Sequence, residues 1–528
     1  MTDFNRDAML ARADGAHVDV LVVGGGATGL GVAVDSASRG YSTCLVEAHD
    51  FAKGTSSRST KLVHGGVRYL EQLDIALVME ALHERGLMHE NAPHLVHDLA
   101  FLVPRYTWWE GPFYGAGLKL YDLLAGKRNI APSRSLGVDE TIAAIPNVSR
   151  EGLLGSIEYH DGQFDDARMA ISLAHTAADL GATVLNGAKV VALLHGAGGT
   201  VLGATVADCE SGRTFDIHAR VVVNACGIFS DALRTLDEPG ARRMVEPAQG
   251  VHLVFDRSFQ PSDRAVMVPH TDDGRVLFVI PWHERVVVGT TDTPMKAAEI
   301  EPRALPEEID FILRNAGRYL EHDPTRADVL TVFAGMRPLV HEGGVDAPTK
   351  SISRSHAVVV SRSGLVSIMG GKWTTYRKMA EDTVDRAIDV GALPRRAATT
   401  EALHVHGYLA RDDSAMPNQD WQRVYGSDAP GVAAVCAERP EWGEPIHPRL
   451  PYPLGVVAHA ARHEMARSVD DVLARRTRAL FLDARAAIES AERVGVVLAR
   501  ELGKDEKWGR DSAAAFRSIA QGYLVPTN

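Results

Sequence analysis

Asp19-Val20-Leu21-Val22-Val23 is a β-branched run of strand length, and Gly24-Gly25-Gly26-Ala27-Thr28-Gly29 follows it at once. Good helix formers then continue to Ser38-Arg39-Gly40, and a second apolar run, Thr43-Cys44-Leu45-Val46, ends in Glu47. Strand, glycine turn, helix, strand and terminal acid in that order make a βαβ dinucleotide unit. Gly24 allows the tight turn, Gly26 lets backbone approach a pyrophosphate, and Gly29 lets helix and strand pack closely. The helix start, with Thr28 in its first turn, offers N–H groups and a positive dipole end to phosphates. Glu47 stands where a ribose hydroxyl needs an acceptor. The unit predicts a dinucleotide and does not choose NAD from FAD.

The rest of the chain is bounded by its bulk. A length of 528 residues calls for two to four domains. A net charge of −12 excludes a broad basic face for nucleic acid. Cys44, Cys209, Cys226 and Cys436 show no metal-like spacing and read as reduced, mostly buried thiols of a cytoplasmic protein, and no metal site is expected. Met1 to His17 lacks the apolar region of a signal peptide, and no run of about 18 apolar residues is present to span a bilayer.

After Glu47, the polar stretch Phe51 to Lys61 suits a loop that wraps a pyrophosphate or ribityl chain through Thr55, Ser56, Ser57 and Thr60. Arg58 and Lys61 read there as solvated cations. Ile75, Val78, Met79 and Leu82 recur at helical spacing, in a helix ending before Pro93. Trp108 to Arg128 mixes Trp108, Trp109, Phe113, Tyr114, Leu118 and Tyr121 with Lys119, Lys127 and Arg128, which suits either an interfacial helix or a core helix with cationic flanks. Asp165 to Leu180 is a predicted helix, and Arg220 to Gly227 a buried strand joining the opening parallel sheet. Short strands from Val251 to Gly289 with turns such as Thr271-Asp272-Asp273-Gly274 predict an inserted antiparallel sheet. Gly370 to Arg377 opens a helix back in the nucleotide domain. Val456 to Arg467, Val469 to Leu480 and Asp483 to Leu502 then form a helical domain, with Ser468 as an N-cap and no obvious chemistry.

Three motifs together resemble one family. Val23-Gly-Gly-Gly-Ala-Thr-Gly-Leu-Gly-Val-Ala-Val-Asp35, His64-Gly-Gly-Val-Arg-Tyr69 and Gly370-Gly-Lys-Trp-Thr-Thr-Tyr-Arg377 are similar to the FAD-dependent, quinone-linked sn-glycerol-3-phosphate dehydrogenases. Arg462 to Arg485 is similar to the family's C-terminal domain. Leu30, Gln249 and Cys226 depart from the usual residues, and Gln249, before Gly250-x-His252, is assigned no role. The resemblance implies an α/β fold: a Rossmann-like FAD-binding domain of the glutathione-reductase/D-amino-acid-oxidase type (17–100, 150–245 and 330–392). It adds a substrate domain (101–149 and 246–329) and a C-terminal helical domain (393–528).

It further implies oxidation of glycerol 3-phosphate to dihydroxyacetone phosphate by hydride transfer from C2 to FAD, with electrons passed to a membrane quinone. By matched position, Arg68, Tyr69 and Arg354 become substrate contacts, while His64, Arg337 and Lys372 become the reacting groups. Thr55, Ser56, Ser57, Thr60, Leu62, His64, Gly66, Ala225, Gly227, Gly370, Gly371, Lys372, Thr374 and Thr375 join the opening turn as FAD contacts. An imidazole titrates near 6.5 and a guanidinium above about 12, so His64 is the preferred base and Arg337 the alkoxide stabiliser, roles that exchange if His64 only orients the flavin. The quinone acceptor implies peripheral contact of a cytoplasmic protein with the inner face of the cell membrane. A homodimer stays open. So do an oxygen-reducing glycerol-3-phosphate oxidase, another FAD enzyme of the same fold, and a non-catalytic membrane-docked redox sensor.

Overall fold

The computed structural model describes residues 4–66, 74–341 and 356–526. Its first sheet is centred on His17–Val23. Thr43–Val46 and then Thr183–Leu185 lie on one side, and Thr214–Asn224, Val366–Gly370 and His356–Val360 on the other. The pairings are parallel apart from the His356–Val360 edge and an antiparallel ribbon of Ala188–His195 and Val201–Asp208 that extends Thr214–Asn224. Val20 to Val23 are buried because helix Ala27–Ser38 covers this sheet and itself packs against Asp166–Asp179 and Tyr376–Val390. That burial on both faces explains the unbroken apolar runs of the parallel strands.

The second sheet has ten strands and claims more of the chain than the sequence pattern assigned to it. Val96–Arg105 pairs along its length with Gly155–Phe164, and Val329–Val340 with Val245–Asp256. All of these strands therefore belong to the substrate sheet, which moves the expected boundaries near 100, 150 and 330. Strand partners so distant in sequence leave no local periodicity to read. The sheet is also mixed rather than antiparallel, because Ala265–Val268 runs parallel to Val96–Arg105. One of its faces is sealed by helix Pro306–Gly317 through Ile309 and Ile312 against Val251, Leu253 and Val288. The opposite face looks toward the nucleotide and C-terminal parts.

The C-terminal part is helical, with Gly455–His463, Ala484–Glu501 and Glu506–Ala520 around Trp442, Leu473, Phe481 and Phe516. That cluster continues into Val254, Trp282 and Phe333 of the second sheet, while Val432, Val456 and Met465 of the C-terminal part pack into the core of the first sheet. Ser468 Oγ accepts from the Asp471 N–H at 3.1 Å, as its capping position predicts. The helix expected over Val469 to Leu480 is broken instead into a π-type turn, Asp471–Arg476, and a short helix, Ala479–Leu482, with Arg478 at φ +58° between them. Across that break Arg475 and Arg476 both reach the buried Asp50, and Arg478 reaches the buried Asp166.

In helix Glu110–Ala125, Tyr114, Leu118 and Tyr121 are buried, while Trp108 before it (81% exposed), Trp109, Phe113, Leu120 and Leu123 (76%) face outward. Among the four free cysteines, Cys44 is buried and Cys209 is exposed, against the expectation of mostly buried thiols.

Arg168 and Glu464 close the seam between helix Asp166–Asp179 and the C-terminal part with a buried bidentate pair at 2.9 and 2.7 Å. Burial opposes ionisation of Glu464, but Arg168 overcomes it and holds the carboxyl well below the usual range. Glu464→Ala should lower stability by about 3–5 kcal/mol, read from the urea midpoint, because a buried guanidinium loses its partner. The pair's contribution is full above the unfolded carboxyl pKa of about 4.3 and is lost as pH falls through the depressed folded value. The wild type should therefore lose stability more steeply than the variant below about pH 4.

Candidate active site

The nucleotide end is built by close approach. Gly24 has φ +111°, and a Cβ there would stand 2.6 Å from the Ala225 carbonyl oxygen; one on Gly29 would stand 1.9 Å from the Gly24 carbonyl. Only glycine fits either place, so the turn, the helix and the Ala225–Gly227 strand end are locked together. Glu47 braces this turn: its carboxylate accepts from the Gly25 N–H at 2.6 Å and the His49 N–H at 2.8 Å. Burial raises its pKa, and those amides oppose the rise. Each carboxylate oxygen keeps a second lone pair, which suits a ribose hydroxyl. Gly24, Gly26, Thr28, Cys226 and Gly227 stay half-exposed above a buried scaffold.

The Phe51–Lys61 loop is not a solvated turn. Ser56 Oγ accepts from the Ala27 N–H at 2.9 Å, seating the loop on the helix start. Asp50 accepts from Arg475 Nε at 2.5 Å and from Arg476 at 2.6 and 2.9 Å. Burial alone would raise its pKa, yet Arg476 and Arg475 hold it down to about 2. Lys53 pairs with Asp470 at 2.5 Å and Glu301 at 2.6 Å. Arg58 and Lys61, expected in solvent, are buried. Arg58 reaches Glu301 at 2.7 Å and Tyr523 at 3.0 Å. Lys61 Nζ lies 2.7 Å from Asp166 and 5.1–5.3 Å from the ring centroids of Trp282, Phe333 and Phe481. Burial pushes its pKa down to about 7 against the pull of Asp166. Arg478 donates to the Ser57 carbonyl at 2.8 Å and to Asp166 at 3.0 Å. The loop's polar residues look solvated in sequence because their partners lie up to 465 positions away.

At the reacting end, three stretches converge. Thr55 Oγ1 donates to the Met336 carbonyl at 2.6 Å, Trp373 Nε1 to the Ser56 carbonyl at 2.9 Å, and the His64 N–H to Thr374 Oγ1 at 3.3 Å. Gly370 and Gly371 have φ +79° and +78°, which turns the chain into Trp373–Thr375, with Lys372 half-buried at its start and Thr374 and Thr375 buried. Leu62 is buried in the strand that leads to His64, and Gly66 has φ +74°.

The second sheet supplies the opposite wall. Strand register places Gly250 across from Gly335, and His252 across from Phe333 and Gly289. Residues two apart share a face, so Arg337 stands with this glycine-lined set. A Cβ on Gly335 would be 2.7 Å from the Arg58 carbonyl, which fixes how closely loop and sheet meet. The Arg337 guanidinium donates to Asp292 at 3.1 Å, Thr290 Oγ1 at 3.3 Å and the Thr291 carbonyl at 3.1 Å.

His252 was missed in sequence. It is buried, bonded through Nε2 to Thr60 Oγ1 at 3.0 Å, and kept neutral by burial and by the charges of Lys61 and Arg337. Only its register against Arg337's strand marks it, and one strand alone cannot show that. Gln249, given no role, is structural: it is buried and donates to Glu308 at 2.7 Å. Arg68, Tyr69 and Arg354 lie outside the described residues. Among the described residues no cluster of His, Cys, Asp and Glu is arranged to hold a metal.

These residues fit FAD: the Gly24–Gly29 turn and Glu47 suit its ADP half, and Thr55–Ser57 with Gly370–Thr375 suit its flavin half. The FAD dependent oxidoreductase family matches residues 19–377, and the C-terminal domain of alpha-glycerophosphate oxidase matches residues 366–508. A mitochondrial glycerol-3-phosphate dehydrogenase of Arabidopsis thaliana is 41% identical across 98% of this chain and 87% of its own length. Its human counterpart is 40% identical across 98% of this chain and 75% of its own. The crystal structure of the Bacillus halodurans glycerol-3-phosphate dehydrogenase complexed with FAD is 32% identical, with a TM-score of 0.81 over 100% of this chain and 99% of that one.

Asp50→Asn keeps the shape of the loop anchor and removes its charge from between two guanidiniums. FAD should be held about tenfold more weakly, in line with the loss of a charged hydrogen bond, and the check is release of fluorescent FAD on dilution.

Proposed function

This chain belongs to the FAD-dependent glycerol-3-phosphate dehydrogenases, and we propose from that premise that it oxidises sn-glycerol 3-phosphate to dihydroxyacetone phosphate and passes the electrons to a membrane quinone. The observation that carries this reading is Arg337. It is held by Asp292, Thr290 and Thr291 on the sheet face that meets the Thr55–His64 and Gly370–Thr375 turns.

Bound FAD supplies the acceptor for the hydride from C2. The chain's own residues have the other tasks. A phosphomonoester dianion calls for converging cations, the part we assign to Arg68 and Arg354 with Tyr69. As the C2 hydroxyl loses its proton, Arg337 and Lys372 stabilise the oxygen's growing negative charge. A neutral imidazole takes the proton, and His64 is our first assignment. His252 is the second, favoured by its neutrality and by its place on Arg337's face. The acid limb of the flavin-reduction rate separates them, since it should vanish in the variant lacking the true acceptor. If His252 accepts, the wild-type rate should hold well below the ordinary imidazole range, because protons reach that buried ring only at low pH.

The match to an oxidase C-terminal domain favours one rival, transfer to oxygen, and the ratio of peroxide formed to quinone analogue reduced decides it. Docking on the inner face of the cell membrane is supported by the outward set of Trp108, Trp109, Phe113, Leu120 and Leu123, with Lys119 beside it. No helix among the described residues is long and apolar enough to cross a bilayer, so the docking we propose is peripheral.

Arg337→Ala should slow anaerobic flavin reduction by about two orders of magnitude or more, as measured by stopped-flow absorbance, because one preorganised donor to the developing alkoxide is gone. Replacing Trp108, Trp109 and Phe113 together with Ser should abolish co-sedimentation with anionic liposomes and leave flavin reduction by soluble substrate intact. Unchanged sedimentation would remove this helix from the docking surface.

A further inference from the structure

Gly65 sits between His64 and Gly66, and its backbone is pinned from both sides. On one side the His64 N–H donates to Thr374 Oγ1 at 3.3 Å. On the other, the Gly65 N–H donates to the phenol oxygen of Tyr121 at 2.8 Å. The Tyr121 hydroxyl in turn donates to Asp161 Oδ2 at 2.7 Å. Arg85 completes the chain, donating from Nη1 to Asp161 Oδ1 at 2.9 Å and from Nη2 to the Arg128 carbonyl at 3.0 Å. Tyr121, Asp161 and Arg85 are all buried.

The direction of each bond is fixed. Burial and the adjacent charge of Asp161 hold the phenol in its neutral form. Its one proton therefore goes to Asp161, and its oxygen is left to accept from Gly65. The contact has no slack, since a Cβ on Gly65 would stand 2.5 Å from the phenol oxygen and 2.5 Å from Leu82 Cδ2. An unpaired Gly65 N–H there would carry the cost of a buried, unsatisfied donor.

We propose that Tyr121 is a positioning residue for the reaction: through the Gly65 amide it sets where His64 stands, and the Arg85–Asp161 pair fixes the rotation of its hydroxyl. The proposal rests on the reading of His64 as a reacting group. It makes the inner face of helix Glu110–Ala125 part of the active-site scaffold, while the outer face carries Trp109, Phe113, Leu120 and Leu123. Tyr121 touches neither FAD nor substrate in this role, so its effect belongs to the rate of the step and not to the binding of either.

Tyr121→Phe deletes one oxygen and leaves the ring in place. The FAD-loaded variant should keep its cofactor, while the limiting rate of anaerobic flavin reduction by glycerol 3-phosphate falls by at least about tenfold, as for a reacting group displaced by a fraction of an ångström. KM should move much less than the limiting rate. Hydrogen exchange of the peptide Leu62–Gly66, measured without substrate, should speed up by about tenfold, the equivalent of one lost hydrogen bond. A wild-type limiting rate in Tyr121→Phe, or unchanged exchange in that peptide, overturns the proposal. If Tyr121→Phe loses FAD, Gly65→Ala is the second arm. Its methyl group displaces the phenol without removing it, and a wild-type reduction rate there overturns the proposal as well. If glycerol 3-phosphate fails to bleach the wild-type flavin, the functional reading falls, and the exchange measurement still decides whether Tyr121 holds the His64 turn.

Discussion

A buried carboxylate, Asp50, holds two arginines of the C-terminal part against the loop that must carry the cofactor. Ions are expensive to bury, and they persist only where partners and hydrogen bonds satisfy them. Around Asp50 that condition is met repeatedly: Lys53 by Asp470 and Glu301, Arg58 by Glu301 and Tyr523, and Lys61 and Arg478 by Asp166. Together they tie the loop to Glu301, to helix Asp166–Asp179 and to the C-terminal part, so the loop has one conformation that neutralises all of them. Replacing such pairs with apolar residues of like volume is often neutral for stability. What the network secures here is a unique placement of Thr55, Ser56 and Ser57, which must meet the helix start on one side and the Arg337 strand on the other.

The same constraint explains why the second sheet is poor in side chains where it approaches the loop. Gly250, Gly289 and Gly335 lie on neighbouring strands, and the space their missing Cβ atoms leave is taken by Arg337, His252 and the Arg58 backbone. Packing has been given up at one end of a large sheet so that a guanidinium and an imidazole can approach its backbone closely. Asp292 then serves two cations, Arg337 at 3.1 Å and Arg275 at 3.4 Å. A carboxylate shared in this way orients Arg337 without matching it one to one.

The sequence was most legible where chemistry is local. The Gly24–Gly29 turn, Glu47, the buried strand at Val221 and the helix after Gly370 all follow from residues within a few positions of one another, and each lies where periodicity and turn chemistry place it. The motif resemblance led correctly to the family. Long-range pairing was not legible. Nothing in the sequence of Val96–Arg105 or Val329–Val340 says which sheet they join, and the choice belongs to partners far along the chain. Lys61 and Arg58 looked solvated for the same reason, since a cation's sequence neighbours do not reveal an aromatic wall from Trp282, Phe333 and Phe481. His252 escaped because its significance lies in register, which only the assembled sheet displays.

The C-terminal helices show how a domain without chemistry becomes necessary to it. Their sequence carries charge in excess of what a helical bundle needs, with Arg475, Arg476 and Arg478 within four residues. In an exposed helix such arginines would add little, because surface ion pairs are worth about 0–1 kcal/mol. Here all three point inward, and the helix breaks at Arg478 to let them do so. A helix interrupted at its centre sacrifices its own hydrogen bonds, and bonds inside the C-terminal part, from Arg475 to Asp470 and Asp471 and from Arg476 to the Glu464 carbonyl, offset part of that loss. Further bonds cross the seam, to Asp50, Ser57 and Asp166. The bend in one domain therefore also fixes the Phe51–Lys61 loop in another. The chain's functional unit is the junction of its three parts, and none of them holds the site alone.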